Sequence, residues 1–156
     1  MSEQQPEKNQ DKNVAEKRIA VILVRGLVNV SGDIKSTLAM LRLVRKNHCV
    51  ILRDTPENKG MVIKVKDYVT WGILDNATFK ELVTKRGQEY RGRTTDSKKR
   101  YSYKTLDVDS KKYRPYFRLN PPQKGFGRKG IKVSFSAGGA LGNREDKINN
   151  LIKRML

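Results

Sequence analysis

These residues predict a mixed fold of strands and helices in one domain, a class that three observations carry. The β-branched run Ile19-Ala20-Val21-Ile22-Leu23-Val24, ended by Arg25-Gly26, has the length and composition of a buried strand. Behind Ser31, a capping residue, Ile34, Leu38, Leu41 and Val44 recur at the three- and four-residue spacing of a helix face. His48-Cys49-Val50-Ile51-Leu52 then reads as a second strand. Strand, helix and strand in such short order make an α/β unit, and 156 residues suit about one domain.

The remaining elements follow in order. Lys46 and Asn47 suit the far end of the first helix, and Asp54-Thr55-Pro56 reads as a turn after the second strand. Met61 to Gly72 is ambiguous: Met61, Val65, Tyr68 and Val69 fit a helix face, while Met61, Ile63 and Val65 alternate with lysines as a strand would. The β-branched content tilts it slightly toward strand. Asp75 caps a short helix carrying Phe79, Leu82 and Val83, which Gly87 ends. From Glu89 to Arg114 the apolar pattern fades, predicting a long loop or extension. Tyr116 to Leu119 is a strand stopped by Asn120-Pro121-Pro122, and the alternation of Ile131, Val133 and Phe135 suggests another. The last segment is the clearest helix. Asn143 caps it, Ile148, Leu151, Ile152 and Met155 form its buried face, and Lys153 and Arg154 favour its negative end.

Charge is the main functional signal. Of a net +18, a surplus of +12 lies in residues 85–132, with 16 Lys or Arg against 4 Asp or Glu. Like charges so concentrated call for a polyanion, and nucleic-acid phosphate is the commonest one. Arginines and lysines there alternate with aromatics, as in Tyr90-Arg91-Gly92-Arg93, Lys98-Lys99-Arg100-Tyr101 and Lys112-Tyr113-Arg114. Arginine forks onto phosphate and stacks on bases, and tyrosine does both in part. Solvated surface charge would not explain the segregation. The Gly-rich stretch Lys124 to Gly130 lacks the pattern of a nucleotide-binding P-loop, but its backbone can approach phosphates while Arg128 and Lys129 contact them and Phe126 stacks. Gly139-Ala140-Leu141-Gly142 fits an RNA-clamping G-x-x-G, although a turn before the last helix explains it better.

Other chemistries are disfavoured. His48 and Cys49 would point to opposite faces of a strand, and no second His or Cys exists to complete a metal site, so a core cysteine beside a surface histidine is expected. Asp107 and Asp109 lie among lysines and read as solvated ion pairs, not an acid–base pair. No cofactor loop or nucleophile stands out, so neither an enzyme nor a cofactor is expected. One cysteine permits no intrachain disulfide and suggests a reducing compartment. No apolar run approaches a membrane span, and residues 1–17 are polar, reading as a flexible arm in a cytoplasmic protein. A DNA-compacting or regulatory protein would share the charge, but no helix-turn-helix or zinc pattern is present.

Several separated blocks also carry a resemblance. They are Ile19 to Gly26 with Ser31-Gly32-Asp33, Asn47-His48-Cys49 leading to Asp54-Thr55-Pro56, and Lys59-Gly60-Met61 followed by Val65 to Gly72. Phe117 to Pro122, Lys124-Gly125-Phe126 and Gly138-Gly139 through Gly142 to Asn149 complete them. In this order, from near Arg18 to Leu156, they resemble the long, archaeal-type form of universal large-subunit ribosomal protein thirty. The resemblance implies an α+β fold: a ferredoxin-like β-α-β-α-β core with a three-stranded antiparallel sheet, plus a C-terminal subdomain. It makes Met61 to Trp71 the second helix and lets Phe117 to Asn120 close the sheet, with residues 73–113 largely an insertion. The expected parts are thus an arm (1–17), a core (18–74), a helical and basic insertion (75–113) and a closing segment (114–156).

The implied role is structural binding of large-subunit rRNA, with 5S rRNA a candidate contact, beside neighbouring ribosomal proteins. No membrane or small-molecule substrate is expected. The residues expected to bind RNA are Arg25, Arg42, Arg45, Arg53 and Lys59 on the core, and Arg91, Arg93, Lys98, Lys99, Arg100 and Arg114 on the extension. Lys124, Phe126, Arg128, Lys129 and Lys132 complete the set. Recognition should proceed by shape and backbone, with few base-specific contacts.

Overall fold

The computed structural model describes residues 17–156, so all but the last residue of the expected N-terminal arm lies outside the described residues. Three six-residue strands, β1 (Arg18–Leu23), β2 (His48–Arg53) and β3 (Val69–Leu74), form the centre of one sheet, with β1 antiparallel to both others. Helices α1 (Gly32–Met40) and α2 (Pro56–Lys64) connect them. After β3 come helix α3 (Asn76–Arg86) and a hairpin of β4 (Leu106–Val108) with β5 (Lys111–Tyr113). Two-residue strands then widen the sheet: β6 (Phe117–Arg118) pairs antiparallel with β2, and β7 (Gly142–Asn143) pairs parallel with β3. The order across the sheet is β6-β2-β1-β3-β7, and helix α4 (Lys147–Met155) ends the fold.

Alternation along β1 explains its unbroken apolar run. Ile19, Val21 and Leu23 face Leu38, Leu41 and Leu43 from α1 and the turn after it, with Val62 and Val65 from α2 and its end. Ala20 and Ile22 face the other way, with Cys49, toward Phe79 and Leu82 of α3 and Ile148, Leu151, Ile152 and Met155 of α4. Helices cover both faces, so both side-chain sets must be apolar, which is the signature of a doubly covered strand. The C-terminal helix is therefore part of the main core.

Several expectations require correction. The segment Met61 to Trp71 is neither one helix nor one strand: α2 begins at Pro56 and ends at Lys64, and β3 starts at Val69. Asp54-Thr55-Pro56 is a helix start, in which the Thr55 hydroxyl accepts a hydrogen bond from the Asn58 amide at 3.3 Å and Pro56 occupies the first turn. The third long strand is Val69–Leu74, and Phe117–Arg118 adds to the opposite side of the sheet through β2. Helix α1 stops at Met40, short of Val44. Residues 131–133 form a turn and bend, Ser134 makes an isolated parallel bridge to Leu141, and a 3₁₀ turn, Phe135–Ala137, follows. Asn143 precedes the last helix without capping it; Asp146 stands at the cap, and the Asn143 side chain accepts from the Glu145 amide.

Gly72 marks where α4 meets the sheet. A Cβ there would run into the Glu145 carbonyl and approach the Ile148 Cβ to 2.8 Å. Gly72→Ala should push α4 off β3 and cost about 1–3 kcal/mol, the usual penalty of overpacking. A lowered denaturant midpoint would register it, and an unchanged midpoint would show that α4 yields freely.

Candidate nucleic-acid interface

The predicted cations fall into four places. At the end of the sheet where β1 exits and β2 enters, the Asn47 amide donates to the Leu23 carbonyl at 2.8 Å. Arg25 follows β1, with its guanidinium 5.0 Å from the Tyr68 ring centroid and Nη1 donating to the Asp67 carbonyl. Arg42 and Arg45 follow α1. The Arg42 amide donates to the Ala39 carbonyl and the Leu43 amide to the Leu38 carbonyl, the pattern of a Schellman helix end. That motif needs a left-handed residue, usually glycine, and Arg42 supplies it at φ 62°.

Arg53 and Lys59 lie at the opposite end of the strands, where Arg53 pairs in register with Arg18. Lys59 is ion-paired with Asp54, which reduces its availability for phosphate. These two are therefore not brought together with Arg25, Arg42 and Arg45.

The expected loop from Glu89 to Arg114 is backbone-paired: Leu106, Val108 and Tyr113 pack it against the core, and the largely exposed residues 91–103 form its projection. Tyr90 donates to the Lys112 carbonyl, Arg114 to Gln88, Tyr103 to Thr94 and Asp96 to Tyr101. Its turn displays exposed Lys98, Lys99 and Arg100, with Lys99 at φ 52°. Exposed Tyr101 and Tyr103 stand beside it, edge to face at 6.2 Å. Arg93 is also exposed, whereas Arg91 and Lys111 share Glu89 at 3.6 and 3.7 Å. Arg114 donates from Nη1 to the Tyr116 hydroxyl at 3.1 Å.

Loop 124–132 carries exposed Lys124, Arg128, Lys129 and Lys132. Phe126 is half-buried against Val24, Ala140 and Leu141, so its ring anchors the loop to the fold. Ala140 and Leu141 are buried and Gly142 joins β7, so Gly139 to Gly142 is a structural turn.

Sequence reasoning missed the residue that fixes this loop. Arg144 is 4% exposed and donates to Thr70 Oγ1 at 2.9 Å, to the Phe126 carbonyl at 2.9 Å and to the Ala140 carbonyl at 3.1 Å. Its guanidinium also lies 4.4 Å from the Phe135 ring centroid. Burial, with help from the charge of Arg154, pulls its pKa down to about 10. The only sequence signal was an arginine beside Asn143 and Glu145, indistinguishable from a surface charge.

The histidine expected at the surface is 9% exposed. Pairing of β2 with β6 sets His48 opposite Arg118, and its ring stacks on Tyr116 at 5.3 Å and 15°. Its Nδ1 is buried with no hydrogen-bond partner among the described residues. Burial foremost, then the charges of Arg118 and Arg45, hold its pKa below 6.5. The unfolded chain therefore takes up a proton first, so His48 contributes stability above about pH 6.5 that is lost as pH falls. A proton-NMR titration of this single histidine should give an apparent pKa below 6.5 in the free protein; a value at or above it would contradict the burial. Cys49, on the opposite face, is fully buried, and desolvation raises its thiol to about 12, an inert core residue. Among the described residues no cluster of three His, Cys, Asp or Glu could hold a metal ion.

Residues 19–69, spanning β1 to the start of β3, match the profile of the family described as ribosomal protein L30p/L7e. The large ribosomal subunit protein uL30 of Methanococcus maripaludis is 43% identical over 151 residues, covering 88% of this chain and 98% of its own length. The chain belongs to the L30p/L7e family of ribosomal proteins. The uL30 proteins of Nanoarchaeum equitans and Methanopyrus kandleri are 42% and 39% identical, over 88% and 85% of this chain and 97% and 100% of their own. Their alignments reach far beyond the profile match, so the family relationship takes in most of the described fold and is not confined to β1, α1, β2 and α2.

Proposed function

We propose that this chain is a structural, non-enzymatic constituent of the large ribosomal subunit that holds rRNA by neutralising its phosphates. The observation that carries the reading is the display of Arg93, Lys98, Lys99 and Arg100 on a paired projection, with no ion-pair partner among the described residues. Exposed like charges held in a fixed geometry await an external anion. Family membership gives that anion its identity as large-subunit rRNA, and the chain functions in translation. The DNA-binding alternative finds no support, since the relatives are named as ribosomal proteins.

The finer reading assigns a role to each part. Residues 18–74 act as the ferredoxin-like core, its three long strands forming the antiparallel frame. Residues 75–113 act as the basic insertion and 114–156 as the closing strand, basic loop and C-terminal helix, presenting the 124–132 loop. Arg25, Arg42 and Arg45 would meet one RNA segment, the projection and the loop others, with Arg53 at a separate contact and Lys59 held by Asp54. The 5S rRNA and adjacent large-subunit proteins are the further partners.

Sucrose-gradient sedimentation of a tagged copy tests the core of this. The protein should travel with the large subunit and remain there at moderate salt. Sedimentation as a free monomer in growing cells would refute it.

A further inference from the structure

A cleft of about 330 Å³ opens between the end of α1 and the β2–β6 side of the sheet. Three guanidinium groups line it, from Arg42, Arg45 and Arg118, and no ion pair among the described residues neutralises them. Beside them lie the flat wall of stacked His48 and Tyr116 and the exposed apolar side chain of Val44. Tyr116 is itself surrounded by cations: Arg114 donates to its hydroxyl, and Arg118 sits 5.9 Å from its ring centroid. Arg42 reaches the cleft from a left-handed backbone that an arginine adopts only at a cost. Strain of this kind gathers at functional positions.

A plain phosphate site needs only charge. This cleft adds an aromatic surface and an apolar rim to three forks, the combination that suits a base and its phosphate together. Its volume suits one small ligand and no regular helix. We propose that the cleft lined by Arg42, Val44, Arg45, His48, Tyr116 and Arg118 receives a single unpaired nucleotide of an RNA chain, its base against Tyr116 and Val44 and its phosphate on the arginines. This inference rests on the rRNA-binding reading above and names a subsite within it.

The lone histidine makes the test direct, because its ring protons report from the wall of the cleft. The full-length protein is titrated with adenosine 5′-monophosphate, ribose 5-phosphate and a single-stranded oligoadenylate while His48 and Tyr116 resonances are followed. Retention of large-subunit rRNA on the same protein is measured separately. The nucleotide should shift both rings at concentrations about 5- to 150-fold below ribose 5-phosphate, the range expected for stacking one base. The oligoadenylate should act at lower concentration still. Tyr116→Leu should erase the preference for a base. Arg45→Gln with Arg118→Gln should weaken every phosphate ligand at least tenfold and lower the salt slope of rRNA binding by about two.

Equal responses to the nucleotide and ribose 5-phosphate would overturn the base subsite. Unmoved rings with rRNA retained would dismiss the cleft and leave the ribosomal reading standing. A free nucleotide binding as tightly as the oligonucleotide would overturn the RNA-chain occupant. Absence of rRNA retention would remove the reading on which the proposal rests.

Discussion

Raising salt from 50 to 200 mM should weaken binding of this protein to large-subunit rRNA by roughly 10³- to 10⁵-fold, if about 6–10 phosphates are contacted. The exposed cations of the projection and of loop 124–132 supply that number without recruiting those already paired to carboxylates. Each phosphate-binding cation removed should lower the slope of log affinity against log salt by about one. Lys98→Ala, Lys99→Ala and Arg100→Ala together should therefore flatten the slope clearly. Lys59→Ala should change it little, because Asp54 already holds that ammonium. Filter binding across a salt series distinguishes the two, and an unaltered slope in the triple variant would remove the turn of the projection from the interface.

The second large effect is expected at Arg144. Replacing it with leucine leaves the Phe126 and Ala140 carbonyls without their donor and takes a hydrogen bond from Thr70. A buried acceptor left unpaired costs about 1–3 kcal/mol. Relief of a desolvated cation offsets part of this, so the net loss should be about 2–4 kcal/mol, a large share of the roughly 5–15 kcal/mol of a typical domain. Arg144→Lys should recover little, since one ammonium cannot serve three acceptors spread as a fork. Denaturant melts give the magnitude, and hydrogen exchange should localise it at the amides of Gly139, Ala140 and Leu141. Full stability in the lysine variant would mean that charge alone, and not the fork, secures the loop.

Strands β1 and β2 were legible because burial on both faces leaves an uninterrupted β-branched run. Helix α4 was legible because its apolar residues keep a strict spacing between acidic and basic ends. The region between β2 and β3 was not. Val62 and Val65 follow the helix period, Val69 and Thr70 then follow the strand period, and no glycine or proline marks the change. The Thr55-Pro56 start could have been recognised, since a threonine before proline is a helix cap as readily as a turn. At the interface, composition revealed where charge accumulates along the chain but not which cations are spent internally. Arg144 and Arg118 show the reason. One is buried and the other faces His48 only through the pairing of two strands remote in sequence.

The position of α4 has a consequence for biogenesis. It is made late, yet it covers Ala20, Ile22 and Cys49, which emerge early. Until it docks, a nascent chain leaves open the part of that apolar surface that α3 does not cover, and closing it over such sequence separation is slow. Newly made copies should thus depend on a chaperone during synthesis, with mutual repulsion of their positive charge as the other safeguard against aggregation.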